Sequence, residues 1–270
     1  MLHQSSNPIG IFDSGMGGLT VAKAITELLP NENIIYFGDT AHSPWGDKSV
    51  AAIQSYSTKI CDILLQHHCK LIVIACHTAS TAAHEILCKH VDNQIPILNV
   101  VDPVIQHIGS YHADKKMGLI GTKQTIRSNV YQKRIDTLNR NIELSSLATP
   151  LLASLVEEGF ANNPISEMAI REYLSHPSLS DVKALILGCT HYPLLKHYIE
   201  NFYHDVIDII DASEVTAKAL KEHLIKEKML NSSQSTKRIF YVSDHNEFFA
   251  KTAQLFFASE IELQPYPIRE

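Results

Sequence analysis

Two stretches of the chain run an aliphatic segment directly into a thiol. LIVIACHTAS, Leu71 to Ser80, places Cys76, His77 and Thr78 behind four aliphatic residues and an alanine, and ALILGCTHYP, Ala184 to Pro193, places Cys189, Thr190 and His191 behind a similar run. A single cysteine closing a strand is ordinarily a small buried hydrophobe. Here two follow a small residue (Ala75, Gly188), precede hydroxyl and imidazole groups, and stand where a helix is expected to open. N–H groups and positive potential at a helix N-terminus favour the thiolate over the thiol, whose free pKa is about 8.5. Cys61, Cys69 and Cys88 lack that setting and read as structural.

Two thiols facing each other across a cleft suit a reaction that removes a proton from one face of a carbon and returns one to the other. At any moment one is thiolate and the other thiol, which is the demand of a two-base racemase or epimerase. A Cys/His hydrolase needs one nucleophile with a base and an orienting group, so the second cysteine discriminates between them. A metal site made from Cys76, His77, Cys189 and His191 is the alternative. Zinc sites usually bring ligand pairs about two to four residues apart, whereas His77 adjoins Cys76 directly, where side chains diverge.

The turn DSGMGGLTV, Asp13 to Val21, invites a dinucleotide reading, but Gly15, Gly17 and Gly18 are spaced too closely for G-x-G-x-x-G. A tight turn offering backbone N–H groups to a substrate carboxylate is the functional expectation, and a purely structural turn is the alternative.

These groups need a scaffold. Short apolar runs alternate with longer amphipathic stretches, the pattern of βαβ units around a parallel sheet, and the fold class is α/β. Strands are expected at Ile9 to Phe12, Ile34 to Phe37, Leu71 to Ala75, Ile97 to Val101, Met117 to Ile120, Ile142 to Leu147, Ala184 to Leu187, Val206 to Ile210 and Ile239 to Val242. Between them, Lys48 to His68 carries Ile53, Tyr56, Ile60, Ile63, Leu64 and His67 at helical spacing. Ligand groups in open parallel sheets gather beyond the carboxyl ends of strands. That is where Asp13-Ser14-Gly15, Gly38-Asp39-Thr40, Cys76-His77-Thr78, Thr122 and Cys189-Thr190-His191 fall.

The 270 residues, 45% of them hydrophobic, are enough for two ordinary cores. Asp102-Pro103 and Asp211-Ala212-Ser213 follow strands, look like helix starts, and mark the expected crossings between domains. A net charge of −6 with no Lys/Arg block offers no footprint for nucleic acid or an anionic membrane, so a small soluble substrate is expected. No apolar run approaches the roughly 20 residues that span a bilayer, and MLHQSSNP lacks the pattern of a leader, so a cytoplasmic protein with reduced thiols is expected.

IGIFDSGMGGLTV, YFGDTAHSPWGDKS, VIACHTAS, GTKQTIRS, LVEEG and LILGCTHYPLL, in that order along almost the whole chain, resemble the motifs of cofactor-independent glutamate racemases of the aspartate/glutamate racemase group. The glycine turn together with GCTHYPL is specific to that group, whereas the ACxTA pattern alone also suits aspartate or hydantoin racemases. The resemblance implies two pseudo-symmetric domains, each a mostly parallel sheet flanked by helices, with the active site in the cleft between them. Residues 1–101 plus 211–270 would form the domain of Asp13 and Cys76, and residues 102–210 that of Cys189. It implies glutamate as substrate, D-glutamate supplied for peptidoglycan synthesis, no pyridoxal phosphate, no metal, and a homodimer. Tyr198, Phe202, Phe248 and Phe249 are candidate dimer contacts, or equally part of a core helix face.

By the same resemblance, Cys76 takes the proton from D-glutamate and Cys189 from L-glutamate. Asp13 assists Cys76, His191 assists Cys189, and Glu157 is a further acidic group near the latter, with Glu158 the neighbouring alternative. Ser14, Pro44, Trp45, Gly46, His77, Thr78, Thr122 and Thr190, together with Asp13, Cys76, Cys189 and His191, form the implied substrate-binding set. Three positions depart from the family pattern: His77 stands for Asn, Trp45 for Tyr and His42 for Arg. An imidazole still donates or accepts one hydrogen bond. Aspartate or another acidic amino acid is therefore the alternative substrate, and an amino-acid-binding relative without turnover the alternative class.

Overall fold

The computed structural model describes residues 4–92, 94–233, 235–245, 253–257 and 261–268. Among them, strands β1 (Ile9–Asp13), β2 (Ile34–Gly38), β3 (Leu71–Ile74), β4 (Ile97–Asn99), β9 (Arg238–Val242) and β10 (Leu263–Pro265) form one sheet in the order β10-β9-β2-β1-β3-β4. Strands β5 (Lys116–Gly121), β6 (Glu143–Ala148), β7 (Ala184–Gly188) and β8 (Asp208–Asp211) form a second in the order β6-β5-β7-β8. Every pairing in both sheets is parallel. The α/β class expected from the alternating runs is what the chain adopts.

Strands β1, β2, β3 and β7 are buried at every residue, which is why they read as largely apolar runs. Their side chains alternate between two cores. Ile9, Ile11, Tyr36, Leu71 and Val73 point into one core, and Phe12, Phe37, Ile72 and Ile74 into the other. The second core is closed by α2 (Val50–Gln66) through Ile53, Ile60 and Leu64, and by α3 (His77–His90) through Ala79, Ala83 and Leu87. The first is closed by α1 (Leu19–Leu28), α4 (Val101–Tyr111) and α10 (Ala212–Lys226), and it continues without a break into Met117, Leu119, Leu185 and Leu187 of the second sheet. Each such buried aliphatic contributes roughly 1.5–3 kcal/mol.

Helix α2 begins at Val50 because the Ser49 side chain accepts from the Ala52 amide. Strand β4 stops at Asn99 rather than Val101, since Asn99 Oδ1 accepts the Val101 and Asp102 amides and opens α4 two residues early. Asp211 caps α10 as its sequence suggests. The short edge strand β10, ending on Pro265, has no counterpart among the expected strands. Tyr198 and Phe202 pack against the first core, while Phe248 and Phe249 lie outside the described residues.

The strand orders set the site. In each sheet the first strand of a βαβ set, β1 or β5, lies between the second strand and the third, β3 or β7. Helix α1 leaves β1 on the side of the first core and α3 leaves β3 on the side of the second. Connections that part this way open a crevice at the strands' carboxyl ends. In the first sheet that crevice holds Asp13, Ser14 and Cys76, and the equivalent positions of the second hold Thr122 and Cys189.

Candidate active site

Both crevices open on one cavity. From the first sheet its wall takes Ser14, Cys76, His77 and Thr78, with Ser43, Pro44, Trp45 and Gly46 from the loop after β2. From the second it takes Thr122, Cys189, Thr190 and His191, with Ala153 and Glu157 of helix α7 (Pro150–Glu157). Of the catalytic and substrate-binding residues that the resemblance implied, only Asp13 stands behind the wall rather than in it, and Gly15, Gly38, Asp39 and Thr40 at the same strand ends also lie outside it. Ser43 and Ala153 are additional; Ser43 sits inside the quoted YFGDTAHSPWGDKS stretch, and Ala153 carries no chemical signal.

Cys76 is the N-cap of α3, where its Sγ accepts the Ala79 amide at 3.4 Å, and it donates to Ser14 Oγ at 3.4 Å. Despite the helix terminus, burial and then the nearby Asp13 charge push this thiol up to about 12, so the expectation of an easily formed thiolate fails here. Desolvation costs more than an exposed helix end returns. Cys189 does not open an α-helix as expected. Tyr192–Leu195 form a 3-10 turn instead, with Pro193 at its start, and helix α9 (Lys196–Phe202) begins only after it.

What Cys189 has in place of a helix end is an imidazole. His191 Nδ1 lies 3.5 Å from Cys189 Sγ and its Nε2 lies 3.0 Å from Glu157 Oε1, which also accepts from Ser43 Oγ at 3.4 Å. Burial pushes the His191 ring down, but the Cys189 sulfur and the Glu157 carboxylate outweigh it and hold its pKa well above 6.5. Burial pushes Glu157 up, and His191 more than reverses it, leaving the carboxyl below its ordinary value. Of the two adjacent glutamates, Glu157 reaches the cavity and Glu158 is exposed.

The glycine turn is used differently from the expectation. The Gly15 amide is committed to Asp13 Oδ2 at 3.1 Å rather than presented to the cavity, and of this turn only Ser14 lines the wall. Its glycines allow close approach: a Cβ on Gly17 would sit 2.4 Å from Thr190 Oγ1, and one on Gly18 2.4 Å from Asp13 Cβ. Asp13 is fully buried and also accepts from Thr190 Oγ1 at 3.4 Å. Burial raises its carboxyl above the usual range, against the pull of His191 and the Gly18 and Gly15 amides.

His77 is 2% exposed, lies face to face with Tyr131 at 6.4 Å, and neither ring nitrogen has a hydrogen-bond partner. Burial lowers its pKa to about 3, so the ring is neutral. Beside it Thr78 Oγ1 and Thr122 Oγ1 are 2.9 Å apart, joining the two halves of the wall. Among the described residues no group of three or more His, Cys, Asp or Glu is arranged to hold a metal.

The profile of the Asp/Glu/Hydantoin racemase family matches residues 10–220. The chain belongs to this family. A glutamate racemase of Chlorobaculum parvum is 39% identical over 258 residues, covering 95% of this chain and 94% of its own. The glutamate racemase of Francisella tularensis, solved in complex with D-glutamate, superposes with a TM-score of 0.90 at 37% identity over 98% of both chains. A Bacillus anthracis glutamate racemase isoform does so at 0.93 and 32% identity, covering 98% of this chain and 99% of that one. The chain is accordingly a racemase, an isomerase, and the family's parallel two-sheet fold is the one seen here.

Proposed function

We propose that this racemase interconverts L- and D-glutamate by proton transfer between two thiols, Cys76 and Cys189. The observation that carries the reading is a pair of buried cysteines in one cavity, each at the third strand of a matching strand order, with unlike proton environments. The Francisella relative with D-glutamate bound supports the substrate.

In the L to D direction the Cys189 thiolate takes the Cα proton. The C–H bond breaks, an S–H bond forms, and the electron pair passes to the carbanion conjugated with the α-carboxylate. The Cys76 thiol then protonates the opposite face and is left as thiolate. The charged His191 complements the Cys189 anion, and Asp13 serves the Cys76 side. Such a carbanion is stabilised by donors already in place on the carboxylate and by exclusion of water. Ser14, Thr78, Thr122 and Thr190 supply hydrogen-bonding groups on the wall, with Pro44, Trp45, Gly46 and the buried His77 shaping it. Under this reading neither pyridoxal phosphate nor a metal takes part.

The same reading treats residues 1–101 plus 211–270 and residues 102–210 as two domains closing on the substrate. It also places the chain in the cytoplasm as a homodimer supplying D-glutamate for peptidoglycan. No described helix is long and apolar enough to cross a membrane. The deciding test is incubation of each glutamate enantiomer in deuterated water. Deuterium enters Cα with wild type, whereas Cys76→Ala and Cys189→Ala lose racemisation while circular dichroism stays native; near-normal racemisation by either variant removes that cysteine from the mechanism. His77 in place of the family's Asn favours a parallel run with aspartate, and faster turnover of aspartate would reassign the substrate.

A further inference from the structure

Asp39, one residue beyond β2, is fully buried and does not line the cavity, yet both of its carboxylate oxygens are engaged. Ser243 Oγ donates to Oδ1 at 2.7 Å, the Trp45 indole N–H donates to Oδ2 at 3.2 Å, and His42 Nδ1 lies 2.8 and 2.9 Å from the two oxygens. Both oxygens are placed as acceptors, so the geometry presents His42 Nδ1 to them as a third donor. The donors come from two places. His42 and Trp45 bracket the cavity-lining loop, and Ser243 follows β9 and also accepts the Ala41 amide at 2.9 Å.

The bracketed loop touches both halves of the site. Its Ser43 Oγ donates to Glu157, and a Cβ on Gly46 would stand 3.0 Å from Thr122 Cβ. Outside, Tyr56 of α2 stacks on His42 at 4.2 Å and packs on Trp45 at 5.6 Å, so the two donors have little freedom except around the carboxylate. A buried carboxylate with three donors is strongly localising, because each lost donor leaves part of the charge uncompensated.

We infer that Asp39 is a positioning residue: through His42 and Trp45 it holds the loop of residues 43–46 against the cavity and so aligns the Ser43–Glu157–His191–Cys189 chain. The inference rests on the racemase reading, but its first readout does not need turnover. Trp45 is the one tryptophan in the chain, so its fluorescence reports on this loop alone.

In Asp39→Asn, one oxygen becomes an amide NH2 that cannot accept, so at least one of the three donors loses its partner. The expected result is a red-shifted Trp45 emission, greater quenching by acrylamide, and a fall in kcat/KM for glutamate of about tenfold to hundredfold, the scale of a small misplacement of reacting groups. His42→Ala should repeat the effect in weaker form, and His42→Arg, which restores N–H donors, should reverse it. A folded Asp39→Asn with wild-type emission and kcat/KM overturns the inference. If Asp39→Asn does not fold, His42→Ala with wild-type emission and kcat/KM overturns it equally. A wild type that exchanges no Cα proton of glutamate would instead sink the substrate assignment, and the fluorescence arm would still decide whether Asp39 holds the loop.

Discussion

His191 faces Cys189 with one ring nitrogen, at 3.5 Å, and turns the other to Glu157, at 3.0 Å. Cys76 has no imidazole; its sulfur meets a Ser14 hydroxyl and a helix amide. The two thiols therefore share position in matching strand orders but not surroundings, and the imidazole next to Cys189 is where the asymmetry lies.

Replacing His191 with Asn removes the cation and keeps a polar group. The expected loss in kcat is about 10²–10⁴-fold, the usual scale for a proton-transfer partner. Because enantiomers have equal free energy, kcat/KM must fall equally in both directions, while kcat should fall more from L-glutamate, for which the proposed mechanism makes Cys189 the base. Polarimetric progress curves from each enantiomer measure this; equal kcat losses would detach His191 from Cys189.

The His191–Glu157 pair sets a pH window for stability. His191 has a raised pKa, so its contribution is complete below 6.5 and fades as pH rises through the folded value. Glu157 has a lowered pKa, so its contribution is complete above 4.5 and fades as pH falls through its folded value. The Tm gap between wild type and Glu157→Gln should be widest between those two values and should close in alkali. A gap independent of pH would mean that the pair is not ionised.

Asp13 has the opposite sign. Its folded pKa lies above 3.8, so the charged carboxylate is a cost that grows as pH rises through that range. Asp13→Asn should gain Tm relative to wild type as pH rises above 3.8 and through the folded value, while losing activity, the exchange expected where a strained site serves function. Thermal melts from pH 3.8 upward check it, and a variant less stable than wild type throughout contradicts it.

Gly17→Ala should fail for steric reasons. The added Cβ would lie 2.4 Å from Thr190 Oγ1 and 2.6 Å from His191 ring atoms, so Thr190 or the imidazole must move. Such overpacking costs typically about 1–3 kcal/mol. A lowered urea midpoint together with lost turnover is expected, and a variant with wild-type turnover would show that the ring position is not critical.

The parallel sheets were legible because strands buried on both faces must be largely apolar, so the runs that begin at Ile9, Ile34, Leu71 and Ala184 announce theirs. Strand β10 was not, because a three-residue edge strand ending on proline buries too little to leave a pattern. The end of β4 was misplaced because the Asn99 side-chain cap outweighs the strand tendency of Val100 and Val101.

Residue types and order along the chain determined which groups are available: two thiols behind aliphatic strands, an acidic glycine turn, a histidine two residues after the second thiol. Only tertiary structure decided that they share a cavity, that Cys76 is held as a thiol despite its helix terminus, that Gly15 serves Asp13, and that Asp39 reaches Ser243 across 204 positions of sequence. Desolvation and hydrogen-bond pairing depend on what surrounds a group in space, and in a chain that crosses between two sheets most of those neighbours are remote in sequence.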